Sequence, residues 1–220
     1  MNRTATPDFM PAPGFRWLTP FYNTALRLGT RERAFKLALI EQAALACRHR
    51  ILDLACGTGS LAIWMKEIHC GLDVTGIDTC PRRLNAAAAR ARRAGVPVRF
   101  DHGLPTALPY KEGRFDRVLS SLFFHRLGWA DKQRAARELL RVLKPGGELH
   151  VADWGRAGGK LMRALYLPVQ LVDGVANTQD NVDGKLPRLF REAGFERVSE
   201  QSRFATGFGT MALYKASKPA

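Results

Sequence analysis

The chain has 220 residues, 46% of them apolar and 25% charged, with 34 Lys and Arg against 20 Asp and Glu for a net charge of +14. These are values of a soluble globular protein with one domain and a core large enough to be stable without staples. No run of about 18 apolar residues offers a membrane span, and the first residues lack an apolar core of signal-peptide length, so a cytoplasmic location is expected.

From residue 50 onward short apolar runs alternate with helical patterns, the signature of parallel strands joined by crossover helices. "RILDL" (50–54) predicts a first strand and Gly59 to about Glu67 its helix. "LDVTGID" (72–78) is the second strand, followed by a helix that opens near Pro81 and closes at Gly95. "VPVRF" (96–100), "FDRVLSS" (115–121) and "ELHVADW" (148–154) give the third to fifth strands, and "KPGG" (144–147) ends the helix before the fifth. Residues 155–184 break the alternation with a bulky apolar stretch interrupted by Pro168 and read as an inserted lid. A last helix over "KLPRLFREAGF" leads to two closely spaced strands that should pair antiparallel. The chain thus divides into capping helices (1–49), a core (50–154), the lid (155–184) and a final helix with a strand pair (185–220).

Cys47, Cys56, Cys70 and Cys80 include no C-x-x-C pair, so free thiols are expected and a metal site is not. The basic balance, with 25 arginines to 9 lysines, would draw the protein toward RNA, lipid head groups or acidic substrates. "RRLNAAAARARRAGVPVR" (82–99) holds six arginines and no acid, and its plainer reading is a solvated helix face.

"ILDLACGTGSLAI" (51–63) runs a strand into two glycines, a turn that suits either a dinucleotide or S-adenosylmethionine. "GTGSLA" also fits the dinucleotide fingerprint, so the glycines alone decide nothing. Three carboxylates separate the two. Asp53 would face a dinucleotide's pyrophosphate with an uncompensated charge but would give a methionine ammonium a partner. Asp78, 19 residues past Gly59, can accept both ribose hydroxyls, and Asp101 can accept from the adenine amine. All three are placed at successive strand carboxyl ends, where open sheets bind their ligands.

With "LDLACGTG", "VTGID", "RFDHG", "FDRVLSS" and "LKPGGELHVAD" in this order, the sequence over about residues 15–215 resembles the class I S-adenosylmethionine-dependent methyltransferases, and among them the ubiquinone/menaquinone-biosynthesis group. The resemblance implies a Rossmann-like α/β fold: a seven-stranded, mostly parallel sheet with one antiparallel strand and helices on both faces. It places Asp53 and the backbone of Ala55, Cys56, Gly57, Thr58 and Gly59 at the methionine end of S-adenosyl-L-methionine. Asp78 and Thr79 would take the ribose, Asp101 and His102 would flank the adenine, and Ser120 would lie near the sulfonium. "LTPFYNTALRLGTRERAFK" looks like the group's capping helix, with Tyr22 packing over the cofactor and Asn23 where an acid is usual.

No Asn/Asp-Pro-Pro-aromatic turn follows the fourth strand and no Pro-Cys dipeptide occurs, which disfavours methylation of nucleic-acid bases. Aromatics near strand ends and in capping segments suggest a small aromatic, quinone-like or otherwise lipophilic acceptor. Residues 161–172 would exclude water or touch an anionic membrane holding such an acceptor. His125, beside Phe123 and Phe124, is the candidate general base, expected to be neutral because its neighbours are apolar. An RNA or protein methyltransferase, or a cofactor-binding regulatory subunit without catalysis, are the alternatives. The sequence does not give the oligomeric state.

Overall fold

The computed structural model describes residues 31–220. Most of the expected cap, including Trp17, Phe21, Tyr22 and Asn23, lies outside the described residues. The described chain begins with helix α1 (Glu32–Gln42), whose Phe35, Leu39 and Ile40 enter the core. Strand β1 (Arg50–Leu54), helix α2 (Ser60–Ile68), β2 (Asp73–Asp78), α3 (Pro81–Arg93) and β3 (Arg99–His102) form the first half of an α/β sheet. The second half comprises β4 (Phe115–Ser121), α4 (Trp129–Val142), β5 (Leu143–Trp154), α8 (Leu186–Glu192), β6 (Glu196–Thr206) and β7 (Gly209–Ser217). Three short helices, α5 (Lys160–Leu165), α6 (Leu167–Asp173) and α7 (Val175–Val182), stand between β5 and α8.

The seven strands are ordered β3-β2-β1-β4-β5-β7-β6. All described neighbours pair parallel except β7, which runs against both β5 and β6. The expected single reversed strand is therefore β7. Ile51 to Leu54 are all buried because helices cover both sheet faces, so the strand has no solvent side to alternate with. Leu52, Leu54, Val118 and Leu139 pack on one face, and Ile51, Leu61, Met65 and Phe35 on the other. At the edge, β6 returns to alternating burial and carries Glu200 paired with Arg203, charges that suit an unpaired edge. Helix α3 buries Leu84, Ala87 and Ala91 and exposes Arg82, Arg83, Arg92 and Arg93, so the arginine run is a solvated face as expected.

Two expectations are corrected. The third strand begins at Arg99 rather than at Val96, since Pro97 has no N–H for a ladder. The fifth begins at Leu143, because "KPGG" is absorbed as a bulge within the strand. There Gly146 takes φ 72° and its N–H donates to Lys218 and Pro219 carbonyls. Residues 155–184 form three helices that send Tyr166, Val169 and Val182 into the core beside Trp154 and Met211, and the stretch is interrupted between Leu165 and Leu167, with Pro168 in the first turn of α6.

The segment after β4 is fixed by aromatic edge contacts. Phe124, fully buried, meets Phe123 at 5.5 Å and Phe190 of α8 at 5.4 Å between ring centroids. Phe124→Ala should therefore cost about 3–5 kcal/mol, read by denaturant unfolding, and a loss under about 1 kcal/mol would show that the segment is held by its backbone instead.

Candidate functional site

The glycine turn leaves β1 through Ala55 at φ 55°, Gly57 at φ 56° and Gly59 at φ 77°. A side chain on Gly59 would meet Ala87 Cβ at 2.9 Å and the Phe100 ring at 3.0 Å, so the residue is fixed by close packing as well as by its left-handed backbone. Gly57 N–H donates to Asp78 Oδ2 at 2.9 Å, and Cys80 N–H donates to Asp78 Oδ1 at 2.9 Å. One carboxylate thus holds the turn and the start of α3 together. Arg90 of α3 adds two bonds from Nη1, to the Thr58 carbonyl and hydroxyl, both 2.9 Å. Burial, with Asp53 and Asp78 nearby, pushes the Cys56 thiol up, which keeps it neutral and unreactive.

Asp53 is buried at the end of β1, where Ala62 N–H of α2 donates to its Oδ2 at 3.2 Å. Burial raises its pKa to about 7, against the opposing pull of Lys36 and that N–H. Lys36, which the sequence pattern did not single out, lies on the buried side of α1 and donates to Glu32 Oε1 at 2.6 Å and Ser60 Oγ at 3.1 Å. Its only signal was a lysine on a helix face otherwise made of Phe35, Leu39 and Ile40.

Beyond the turn a cleft opens at the strand carboxyl ends. Ala55, Asp78 and Thr79 line one part, and Leu122, Phe123 and Arg126 another. This is the point where the order reverses between β1 and β4, the usual binding crevice of open α/β sheets. Arg126 lines it with a buried Nε that has no hydrogen-bond partner among the described residues.

Four of the expected site residues have further partners. Asp101 accepts from Arg99 Nε at 2.9 Å and Tyr110 hydroxyl at 3.0 Å, and Gly103 and Pro105 line the cleft. His102 is exposed, with Nε2 3.1 Å from the Thr79 carbonyl. Ser120 is fully buried and donates to the Leu54 carbonyl at 3.2 Å, tying β4 to β1 below the cleft. His125 is 2% exposed in a short 3-10 turn (Phe124–Arg126), with Nδ1 2.7 Å from Asp153 Oδ1 and Nε2 3.6 Å from Asp173 Oδ2. Burial alone would lower its pKa, but the two carboxylates overcome that and raise it. The sequence showed only the apolar neighbours Phe123 and Phe124, because Asp153 and Asp173 are distant in sequence.

Residues 51–147 match the family model described as a methyltransferase domain. The chain is 41% identical over 143 residues to a demethylmenaquinone methyltransferase of Thermus thermophilus, covering 65% of this chain and 62% of that one. A demethylmenaquinone methyltransferase of Deinococcus radiodurans is 32% identical over 155 residues, covering 69% and 63%. The matched regions therefore span less than two thirds of these two relatives. An uncharacterized methyltransferase of Synechocystis is 31% identical over 176 residues, covering 79% and 78%. Among solved structures, an S-adenosylmethionine-dependent methyltransferase from Methanosarcina mazei superposes with a TM-score of 0.66 at 23% identity, covering 82% and 97%. Another, SibL, gives 0.74 at 22% identity, covering 95% of this chain and 60% of that one.

The cofactor these similarities imply is S-adenosylmethionine, and the residues present fit it. Asp78 offers a carboxylate on the cleft wall for paired hydroxyls, and the turn offers a closely approachable backbone. Asp78→Ala should weaken S-adenosylmethionine binding by about 1.5–3 kcal/mol in calorimetry, and unchanged affinity would place the ribose elsewhere. Asp53 gives a stability test. The folded chain keeps its proton to about pH 7 and the unfolded chain only to near 3.8, so between these values the folded state binds more protons and loses stability as pH rises. Relative to the parent, Asp53→Asn should gain stability as pH rises from about 4 to about 7 in denaturant unfolding; a constant difference would show that Asp53 ionises normally.

Proposed function

We propose that this chain, which belongs to the class I S-adenosylmethionine-dependent methyltransferases, methylates a small, lipophilic, quinone-like aromatic acceptor. The observation that carries the acceptor class is the wall beyond β4, where Leu122 and Phe123 present apolar surface and Arg126 a guanidinium to the same cleft. A flat, largely apolar ring with one or two oxygens suits such a wall. Two relatives named as demethylmenaquinone methyltransferases support this reading.

S-adenosylmethionine, when bound, supplies a methyl group on a cationic sulfur, ready for in-line displacement. The chain's part is to bind, align and keep water out. Asp78 and the glycine turn hold the ribose and amino-acid portions. Asp53, with Lys36 behind it, offers a buried carboxylate near the amino-acid end. Asp153 shapes the acceptor side: its Oδ2 accepts from Phe123 N–H at 3.1 Å and His125 N–H at 3.4 Å, and its Oδ1 from Trp154 N–H at 2.7 Å. Helices α5–α7 cover this end of the sheet.

His125 is a positioning residue in this reading. Both ring nitrogens face carboxylates, so it has no free nitrogen with which to take the acceptor's proton. It joins the loop after β4, through Asp153, to α6, through Asp173.

Turnover is tested with labelled S-adenosylmethionine and a panel of reduced naphthoquinols and benzoquinols, RNA, and protein. Label in the quinols is expected. Label only in RNA or protein, or cofactor binding with no transfer to any of them, would overturn the proposal. For His125→Gln, kcat should stay within about tenfold of the parent while the acceptor KM rises and the pH profile of kcat is unchanged. A loss of about 10²–10⁴-fold together with the loss of an ionisation from that profile would make His125 the base.

A further inference from the structure

Residues 154–172 carry three cations, Arg156, Lys160 and Arg163, and no acid. Seven large apolar side chains are exposed among the described residues, and four of them stand within 161–175. These are Leu161, Leu167, Leu171 and Val175, at 68%, 50%, 75% and 55% exposure. Helix α6 already buries Val169 and Gln170 toward the sheet, so Leu167 and Leu171 form a second, outward apolar face that nothing in the described chain covers. Single exposed leucines are ordinary, but a cluster beside cations marks a contact surface.

Next to this face a shallow concavity is walled by Arg156, Lys160, Arg163 and Leu167, with Asp183 across from them. Asp183 is paired with Lys185 at 3.4 Å and accepts from Gln179 at 2.8 Å. Among the described residues no carboxylate pairs with Arg156, Lys160 or Arg163. Arg163 has a buried Nη1 with no hydrogen-bond partner among the described residues, a donor that an anion entering the concavity would satisfy.

We propose that the α5–α6 face docks on an anionic phospholipid bilayer. Leu161, Leu167 and Leu171 enter the headgroup region, and a lipid phosphate sits against Arg163 and Lys160. Apolar side chains flanked by cations are the pattern of interfacial helices, and the net charge of +14 strengthens the attraction. A second copy is a poorer occupant, since a two-fold contact would set these cations against themselves. The face is continuous with the cleft: α6 ends at Asp173, which reaches His125, and the next residue, Arg126, lines the cleft wall. Entry of the acceptor directly from the bilayer rests on the lipophilic-acceptor reading; the docking itself does not.

The full chain is sedimented with vesicles of phosphatidylcholine, with and without phosphatidylglycerol. Binding to the anionic vesicles should exceed binding to the neutral ones by about tenfold or more, and weaken as salt is raised. Leu167→Glu with Leu171→Glu, and separately Lys160→Glu with Arg163→Glu, should each lower it about tenfold or more, while calorimetry shows unchanged S-adenosylmethionine affinity. Equal binding to both vesicles, no binding, or variants that bind like the parent would overturn the proposal. So would a dimer in solution that the leucine pair dissolves, since the face would then join two copies. Methylation of a tail-less quinol in vesicle-free buffer reads the acceptor class independently of docking.

Discussion

The cleft depends on the grip of one carboxylate on a neighbouring strand's turn. Parallel pairing sets Asp53 beside Gly76 and Leu54 beside Ile77, so the last residue of β2 arrives next to the residues that leave β1. The Cys56 N–H extends the ladder by one bond to the Ile77 carbonyl, 3.0 Å, and Asp78 then takes over from the strand by accepting from Gly57. The turn holds three left-handed residues in close succession with one internal bond, from Gly59 N–H to the Cys56 carbonyl at 2.9 Å, and with bonds to β2 from outside. Without Asp78, two backbone donors at the base of the crevice would lose their partner.

Asp53, Asp78 and Asp101 are the same residue type at nearly equivalent places, and the sequence treats them alike. By register Asp53 and Asp78 share one sheet face, and Asp101, level with Ile77, lies on the other. Asp78 reaches the cleft; Asp53 points into the core near the start of α2 and keeps its proton far above the usual carboxylate range; Asp101 turns to Tyr110 and Arg99. Strand existence and the glycine turn were legible because both are local patterns: β1 and β4 occupy the predicted residues, and the antiparallel β7 follows from its short link to β6. Which face a short strand's end residue occupies depends on register. Where β3 begins three residues later than its apolar run suggests, the local pattern misplaces that face.

The acceptor side was hidden for a related reason. His125 is governed by Asp153 and Asp173, 28 and 48 positions away, and no spacing rule connects them. The same holds for Lys132, fully buried on α4, whose Nζ donates to the Asn177 carbonyl at 2.7 Å and to Asp180 at 3.4 Å on α7. These buried cations pin the helices after β5 to the loop and helix after β4. A chain rich in positive charge therefore uses a few of its cations as internal ties, while many others, such as those of α3, face solvent.

The place of β7 between β5 and β6 has a consequence for how the chain assembles. β5 pairs with β4 on one side, but its other side waits for residues 209–217, which a ribosome delivers more than fifty residues later. Until then its apolar, hydrogen-bond-hungry flank stands open, a template for pairing with another nascent chain. The hairpin of β6 and β7 must enter as a unit, with β7 innermost. Chains interrupted before Gly209 would carry a nearly finished sheet with an unsealed edge, and so be more prone to clump than chains stopped much earlier.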